Sequence, residues 1–146
     1  MTSIRAARAD DAPRLAALSG ELGYPMTAAE AAQRLAGLAS HPDHAILVAD
    51  EDGSAAGWIQ VSLPRIFETP ASAEIAGLVV ASEARGRGLG RALVAAAAGW
   101  AAERGCTAVR VRTNVIRERA HAFYVREGFR EVKTQKVLEK RLSPKA

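Results

Sequence analysis

Three glycines at alternate positions, with arginines between and beside them, give the densest chemical signal in the chain: Arg85-Gly86-Arg87-Gly88-Leu89-Gly90, followed by Arg91. Glycines in this spacing let the backbone turn several N–H groups to one side, and a helix that starts directly after them adds its dipole. Guanidinium groups complement phosphate oxygens through several donors. Glycines alone would also suit a plain tight connection between a strand and a helix, but the arginines favour an anion. A dinucleotide fingerprint needs Gly-x-Gly-x-x-Gly and an acidic residue at the end of the next strand. This loop runs Gly-Arg-Gly-Leu-Gly, and that strand ends Thr113-Asn114. A nucleotide-hydrolysing P-loop needs Gly-Lys-Ser/Thr, whereas Gly90 precedes Arg91-Ala92.

The rest of the composition narrows the setting. At 146 residues, 49% hydrophobic and 25% charged, the chain fits one globular domain over residues 1–146. A net charge of +4 suits anionic ligands without choosing among them. The single cysteine, Cys106, excludes an intramolecular disulfide framework and a metal site built on paired thiolates. Lying between Gly105 and the strand-like Thr107-Ala-Val-Arg-Val, it reads as a small semi-buried residue rather than a nucleophile. The three histidines are scattered, so no metal is expected. No apolar run approaches the ~20 residues of a membrane span, and no signal-peptide core follows Met1. A soluble cytoplasmic protein with no membrane partner is the expectation.

The elements that must position the loop can be read from periodicity. Ser3–Ala7 is strand-like; Asp10 or Asp11 can cap a helix that tolerates Pro13 and carries Leu15, Leu18 and Leu22 inward. Thr27-Ala-Ala-Glu30 has the form of a capping box before a helix with Leu35 and Leu38 on its inner face. Ala45–Ala49 and Ala55–Leu63 flank the turn-like Asp50–Ser54, and Ala73–Val80 is a further strand in which Gly77 marks a bulge or close approach. A long helix runs from Leu89 to Arg104, with Leu89, Leu93, Ala97 and Trp100 or Ala101 on one face. Thr107–Thr113 alternates as a strand and Arg117–Glu127 reads as a short helix; Phe129–Lys133 and Gln135–Leu142 suggest two final strands. The order β-α-α-β-β-β-α-β-α-β-β implies an α/β (α+β) fold: a mixed, mostly antiparallel sheet of about six to seven strands covered by about four helices.

These residues resemble the GNAT (GCN5-related N-acetyltransferase) superfamily, whose cofactor signature is Arg/Gln-x-x-Gly-x-Gly/Ala after the fourth strand. Arg85 to Gly90 matches every fixed position, and the likeness continues through Glu74–Val80, Asn114 and Ala120-His-Ala-Phe-Tyr-Val-Arg-Glu-Gly-Phe129. The resemblance implies a GNAT fold, acetyl-CoA as co-substrate and N-acyl transfer to a primary amine of a small molecule or peptide by direct attack in a ternary complex. It places backbone groups of Leu78, Val79 and Val80 along the pantetheine arm. Arg85, Gly86, Arg87, Gly88, Leu89, Gly90 and Arg91 would meet the pyrophosphate, with Asn114 and Phe123 as further cofactor contacts. Many relatives are homodimers, so a homodimer is implied as well.

Transfer from a thioester needs a neutral amine, because an ammonium of pKa about 10.4 has no lone pair to attack with. It also releases a thiolate, which leaves more readily if an acid protonates it. Tyr124 matches the family tyrosine at the cofactor sulfur, and a phenol of pKa near ~10 can supply that proton. Ala120, Phe123 and Tyr124 at i, i+3 and i+4 would equally make a core-facing stripe. Glu74 matches a position where family members place a basic carboxylate; Glu21 and Glu68 are alternatives, as is entry of an already neutral amine. Tyr24, Trp58 and Phe67 are candidate acceptor contacts, and His121, Arg117 and Arg119 candidate cofactor-edge residues. Aminoglycoside-like amines, polyamines, amino acids and protein amino groups all fit the acceptor chemistry. A CoA-sensing or protein-interaction module on the same fold is the alternative. Nucleic acid, approached through Arg110, Arg112, Arg117 and Arg119, is not expected, since no aromatic stacking run accompanies them.

Overall fold

The computed structural model describes residues 2–112 and 118–144, which fall into two compact units dividing between Arg112 and Thr113. The first unit contains β1 (Thr2–Ala6), α1 (Ala12–Leu22), α2 (Ala28–Ala39), β2 (His44–Glu51), β3 (Ser54–Ser62), β4 (Ser72–Val80), α3 (Leu89–Glu103) and β5 (Ala108–Val111). Its sheet has the spatial order β1-β2-β3-β4-β5. The first three pairings are antiparallel, and β4 and β5 are parallel with α3 as their crossover. The second unit carries α4 (Glu118–Arg126).

Successive residues of a strand face opposite sides, and β3 shows which helices cover which side. Trp58 and Leu35 of α2 both pack against a buried cluster of Leu15 of α1, Val48 of β2 and Ala55 of β3. The position a Cβ would take at neighbouring Gly57 is 3.3 Å from Leu93 of α3. Thus α1 and α2 cover one face and α3 the other. Leu18, Ile59, Ile75, Leu93, Val48 and Val61 are the largest fully buried side chains, each contributing roughly 2 kcal/mol of burial. On α3 the buried stripe is Leu89, Leu93, Ala97 and Ala101, while Trp100 lies under the Arg104 guanidinium at 4.1 Å.

The capping box forms as the sequence predicts: Glu30 N–H donates to Thr27 Oγ1 at 3.0 Å, and Thr27 N–H to Glu30 Oε1 at 2.8 Å. Asp11 behaves differently from expectation. A 3₁₀ turn over Ala9–Asp11 starts the helical chain early, so Asp11 reaches back to accept Arg8 N–H at 2.7 Å instead of capping α1. Its carboxylate also takes two N–H groups of Arg5, at 2.8 and 2.9 Å. With Asp11 only 5% exposed and Arg5 18%, Asp11→Ala is expected to cost about 3 kcal/mol by leaving the guanidinium partly buried with one fewer partner. Hydrogen bonding to Arg5 holds the Asp11 carboxyl below the usual range. The native state therefore gains stability above the ordinary carboxylate pKa and loses it as pH falls through the lowered value. Urea unfolding of wild type and Asp11→Ala between pH 6 and 2 should converge at the acid end; curves that stay parallel would refute this.

The final two strands expected at Phe129–Lys133 and Gln135–Leu142 are not strands in the structure, so among the described residues five strands stand where six or seven were expected. A strand requires a partner backbone, which apolar residues in the sequence cannot supply; here Val132, Val137, Leu138 and Leu142 are exposed.

Candidate active site

β4 changes partners along its length. Glu74 pairs with Ser62, Ile75 with Val61 and Gly77 with Gln60, which leaves Ala76 as an extra residue and makes a bulge. β5 pairs only with Ser72–Ile75, before the bulge. Beyond it, Gly77–Val80 stays hydrogen-bonded to β3 but has no β5 partner among the described residues. Among the described residues, Leu78, Val79 and Val80 therefore lie on a strand segment laddered to β3 alone, an arrangement that a further backbone-like ligand could extend. Two glycines let this segment sit where it does. A Cβ on Gly57 would lie 2.8 Å from the Val79 carbonyl oxygen, and one on Gly77 would lie 2.8 Å from Trp58 Cη2.

After Val80 the chain makes a 3₁₀ turn at Ser82–Ala84, an extended step at Arg85, and left-handed turns at Gly86 (φ 81°) and Gly88 (φ 78°). α3 then begins at Leu89 with Gly88 as its N-cap, no side-chain cap and no acidic residue in the first turn. The opening N–H groups of a helix have no intrahelical acceptor, so this end, with its dipole, is suited to an anion. Arg85 and Arg91 are exposed beside it. Leu89 sends its side chain into the core, so only its backbone can serve a ligand.

Side chains distant in sequence hold this connection. Glu21 Oε1 of α1 accepts Ser82 N–H at 3.1 Å, and Arg14 of α1 donates to Glu83 at 2.9 Å and to the Ala55 carbonyl at 2.9 Å. Arg87 pairs through both Nη atoms with Glu51 at the end of β2, at 2.8 and 2.9 Å. Sequence reasoning did not find Glu51, Arg14 or Glu83, because nothing local in a strand end or helix face names a partner so far along the chain. Glu21, an alternative base in sequence terms, is instead engaged with the backbone of this turn.

Glu74 lies in the bulged stretch of β4 and is ion-paired with Arg112. Glu68 and the acceptor candidates Tyr24 and Phe67 are exposed, whereas Trp58 is half-buried with its Nε1 lacking a partner among the described residues. Cys106 lines a cavity of about 310 Å³ with Arg65 and Arg104 at the start of β4, the end opposite Gly86 and Gly88. Among the described residues no group of three or more His, Cys, Asp or Glu could hold a metal ion, and no helix is long and apolar enough to cross a membrane.

The second unit carries Phe123 and Tyr124 on α4. Tyr124 is 9% exposed and meets Phe123 and Phe129 edge-on, with ring centroids 5.2 and 5.4 Å away. Burial pushes its phenol up to about 12. The first unit thus gathers Glu74, Leu78–Val80 and Arg85–Arg91, while Phe123 and Tyr124 belong to the second. Asn114 and Arg117 lie outside the described residues.

A sequence model of the Acetyltransferase (GNAT) family matches residues 9–129. The chain belongs to that family. An aminoglycoside N(6')-acetyltransferase type 1 of Klebsiella aerogenes is 33% identical over 106 residues, 70% of each chain. Among solved structures, AAC(6')-Iy in complex with the bisubstrate analogue CoA-S-monomethyl-acetylneamine superposes with a TM-score of 0.86 at 19% identity, covering 97% of this acetyltransferase and 99% of that chain. The aminoglycoside 6'-N-acetyltransferase AAC(6')-Ih of Acinetobacter baumannii does so at 0.86 and 21%, covering 98% and 100%. At these identities the superpositions establish the fold, a mixed α/β sheet with helices on both faces.

Proposed function

We propose that this acetyltransferase moves the acetyl group of acetyl-CoA to a primary amine of a small molecule, with amino-sugar amines of the aminoglycoside type the first to test. The observation that carries the donor half is the uncapped start of α3 behind left-handed Gly86 and Gly88. It suits the CoA pyrophosphate, and the Leu78–Val80 segment, laddered to β3 alone among the described residues, suits the amide-bearing pantetheine arm, which can hydrogen-bond like a strand. Acetyl-CoA supplies the thioester. Arg85, Gly86, Gly88, Leu89, Gly90 and Arg91 bind its phosphates, and Tyr124 gives a proton to the departing sulfur. Glu74 accepts the ammonium proton, directly or through water, on the carboxylate oxygen opposite the one bonded to Arg112. The acceptor class rests on the similarity to the Klebsiella enzyme and on no residue of the site.

Calorimetric titration of CoA, followed by a thiol-release assay with aminoglycosides, polyamines, amino acids and lysine peptides, tests both halves. Saturable CoA binding and turnover with an amino sugar are expected. No CoA binding by folded protein would remove the donor assignment, and turnover confined to peptides would remove the acceptor assignment.

A further inference from the structure

The sequence places Arg87 among the phosphate-binding arginines of the loop, but its guanidinium is committed elsewhere. Nη1 and Nη2 form a two-pronged pair with the Glu51 carboxylate at 2.8 and 2.9 Å, and Nε points to the Ala84 carbonyl at 3.5 Å. The side chain therefore closes the loop on its own start and ties it to the tip of the β2–β3 hairpin. Glu51 is oriented in turn by Thr2, whose Oγ1 donates to Oε2 at 3.3 Å. A planar fork matched to both carboxylate oxygens fixes direction as well as distance. Glu51 is otherwise misplaced: a carboxylate near an anion site repels the anion unless its charge is neutralised.

We infer that Glu51 is a positioning residue for cofactor binding, and that Arg87 acts as a strut between the loop and the hairpin rather than as a phosphate ligand. This rests on the reading of the Arg85–Gly90 loop as the pyrophosphate site. With the strut in place, Gly86 and Gly88 hold their turns and the first N–H groups of α3 keep one direction. Phosphate contact falls to backbone N–H groups, Arg85 and Arg91.

The two roles for Arg87 give opposite results when Glu51 is neutralised. If Arg87 bound phosphate, Glu51→Gln would release a competitor and tighten CoA binding. As a strut, it loses its seat and binding weakens. Calorimetric CoA titrations of the full chain compare wild type, Glu51→Gln, Arg87→Gln, the double variant and the exchanged pair Glu51→Arg/Arg87→Glu. Each single variant is expected to raise Kd about tenfold, the double no more than either single, with the exchanged pair recovering most of the loss. KM for acetyl-CoA should rise while kcat at saturation stays within about twofold, a split that general destabilisation would not give. Wild-type or tighter binding by Glu51→Gln, or additive losses in the double variant, overturns the strut. Absence of CoA binding by wild type overturns the assignment of the loop itself.

Discussion

Replacing Tyr124 with phenylalanine is expected to lower kcat about a hundredfold, the scale of a lost general acid, and to leave CoA affinity nearly unchanged. The substitution keeps the ring that meets Phe123 and Phe129, so packing survives and only the hydroxyl goes. Burial raises the phenol to about 12, which keeps it protonated across the working range, the state that the proposed proton donor requires. Because the folded value lies above the unfolded one, the stability linked to this group is present below pH ~10 and fades as pH rises toward 12. The rate profile follows the same sign: Tyr124 should impose no alkaline fall in kcat below pH ~10. A Tyr124→Phe enzyme with wild-type kcat at saturating substrates, measured by thiol release, would reduce Tyr124 to a core residue of α4. A loss appearing only in Kd for CoA would make it a binding residue instead.

The site divides into parts that local sequence could specify and parts it could not. The Thr27–Glu30 box, the Asp52-Gly53 hairpin tip and the glycine turns before α3 follow from rules that span three or four residues, and all three form. The direction of α3's buried face follows equally from a 3.6-residue period, which admits Ala101 and leaves Trp100 to stack beneath Arg104. Gly77 was legible as a bulge or a close approach, and it sits at both, although which aromatic ring approached it was not. Choice of partner is where the sequence falls silent. Arg87 with Glu51, Arg14 with Glu83 and Glu21 with Ser82 join positions 36, 69 and 61 residues apart. Twenty basic and sixteen acidic residues offer many equivalent pairings, and only the fold selects among them. The last two expected strands fail on the same point: the apolar residues of Gln135–Leu142 name no pairing partner, and the segment is not strand among the described residues.

Gly57→Ala is expected to destabilise the protein by about 2 kcal/mol, lowering Tm by roughly 6 °C, and to raise KM for acetyl-CoA. The reason is what the added methyl would meet. Leu93 Cδ1, at 3.3 Å, ends a side chain and can turn aside, but the Val79 carbonyl oxygen at 2.8 Å and Val80 Cα at 3.3 Å belong to the neighbouring backbone. Relief requires β4 to move away from β3 at the residues assigned to the pantetheine arm, so stability and donor binding should fail together. Gly37 in α2 and Gly99 in α3 provide the contrast, because a Cβ at either meets nothing within 4 Å. In a helix interior alanine is favoured over glycine by about 0.5–1 kcal/mol, so Gly37→Ala and Gly99→Ala should each raise Tm by a few degrees without touching KM. The opposite signs separate close strand approach from glycine's intrinsic cost. Thermal unfolding of the three variants, with KM for acetyl-CoA measured on each, decides the matter: a Gly57→Ala protein that melts with wild type would mean that β3 and β4 can part at Val79 without loss.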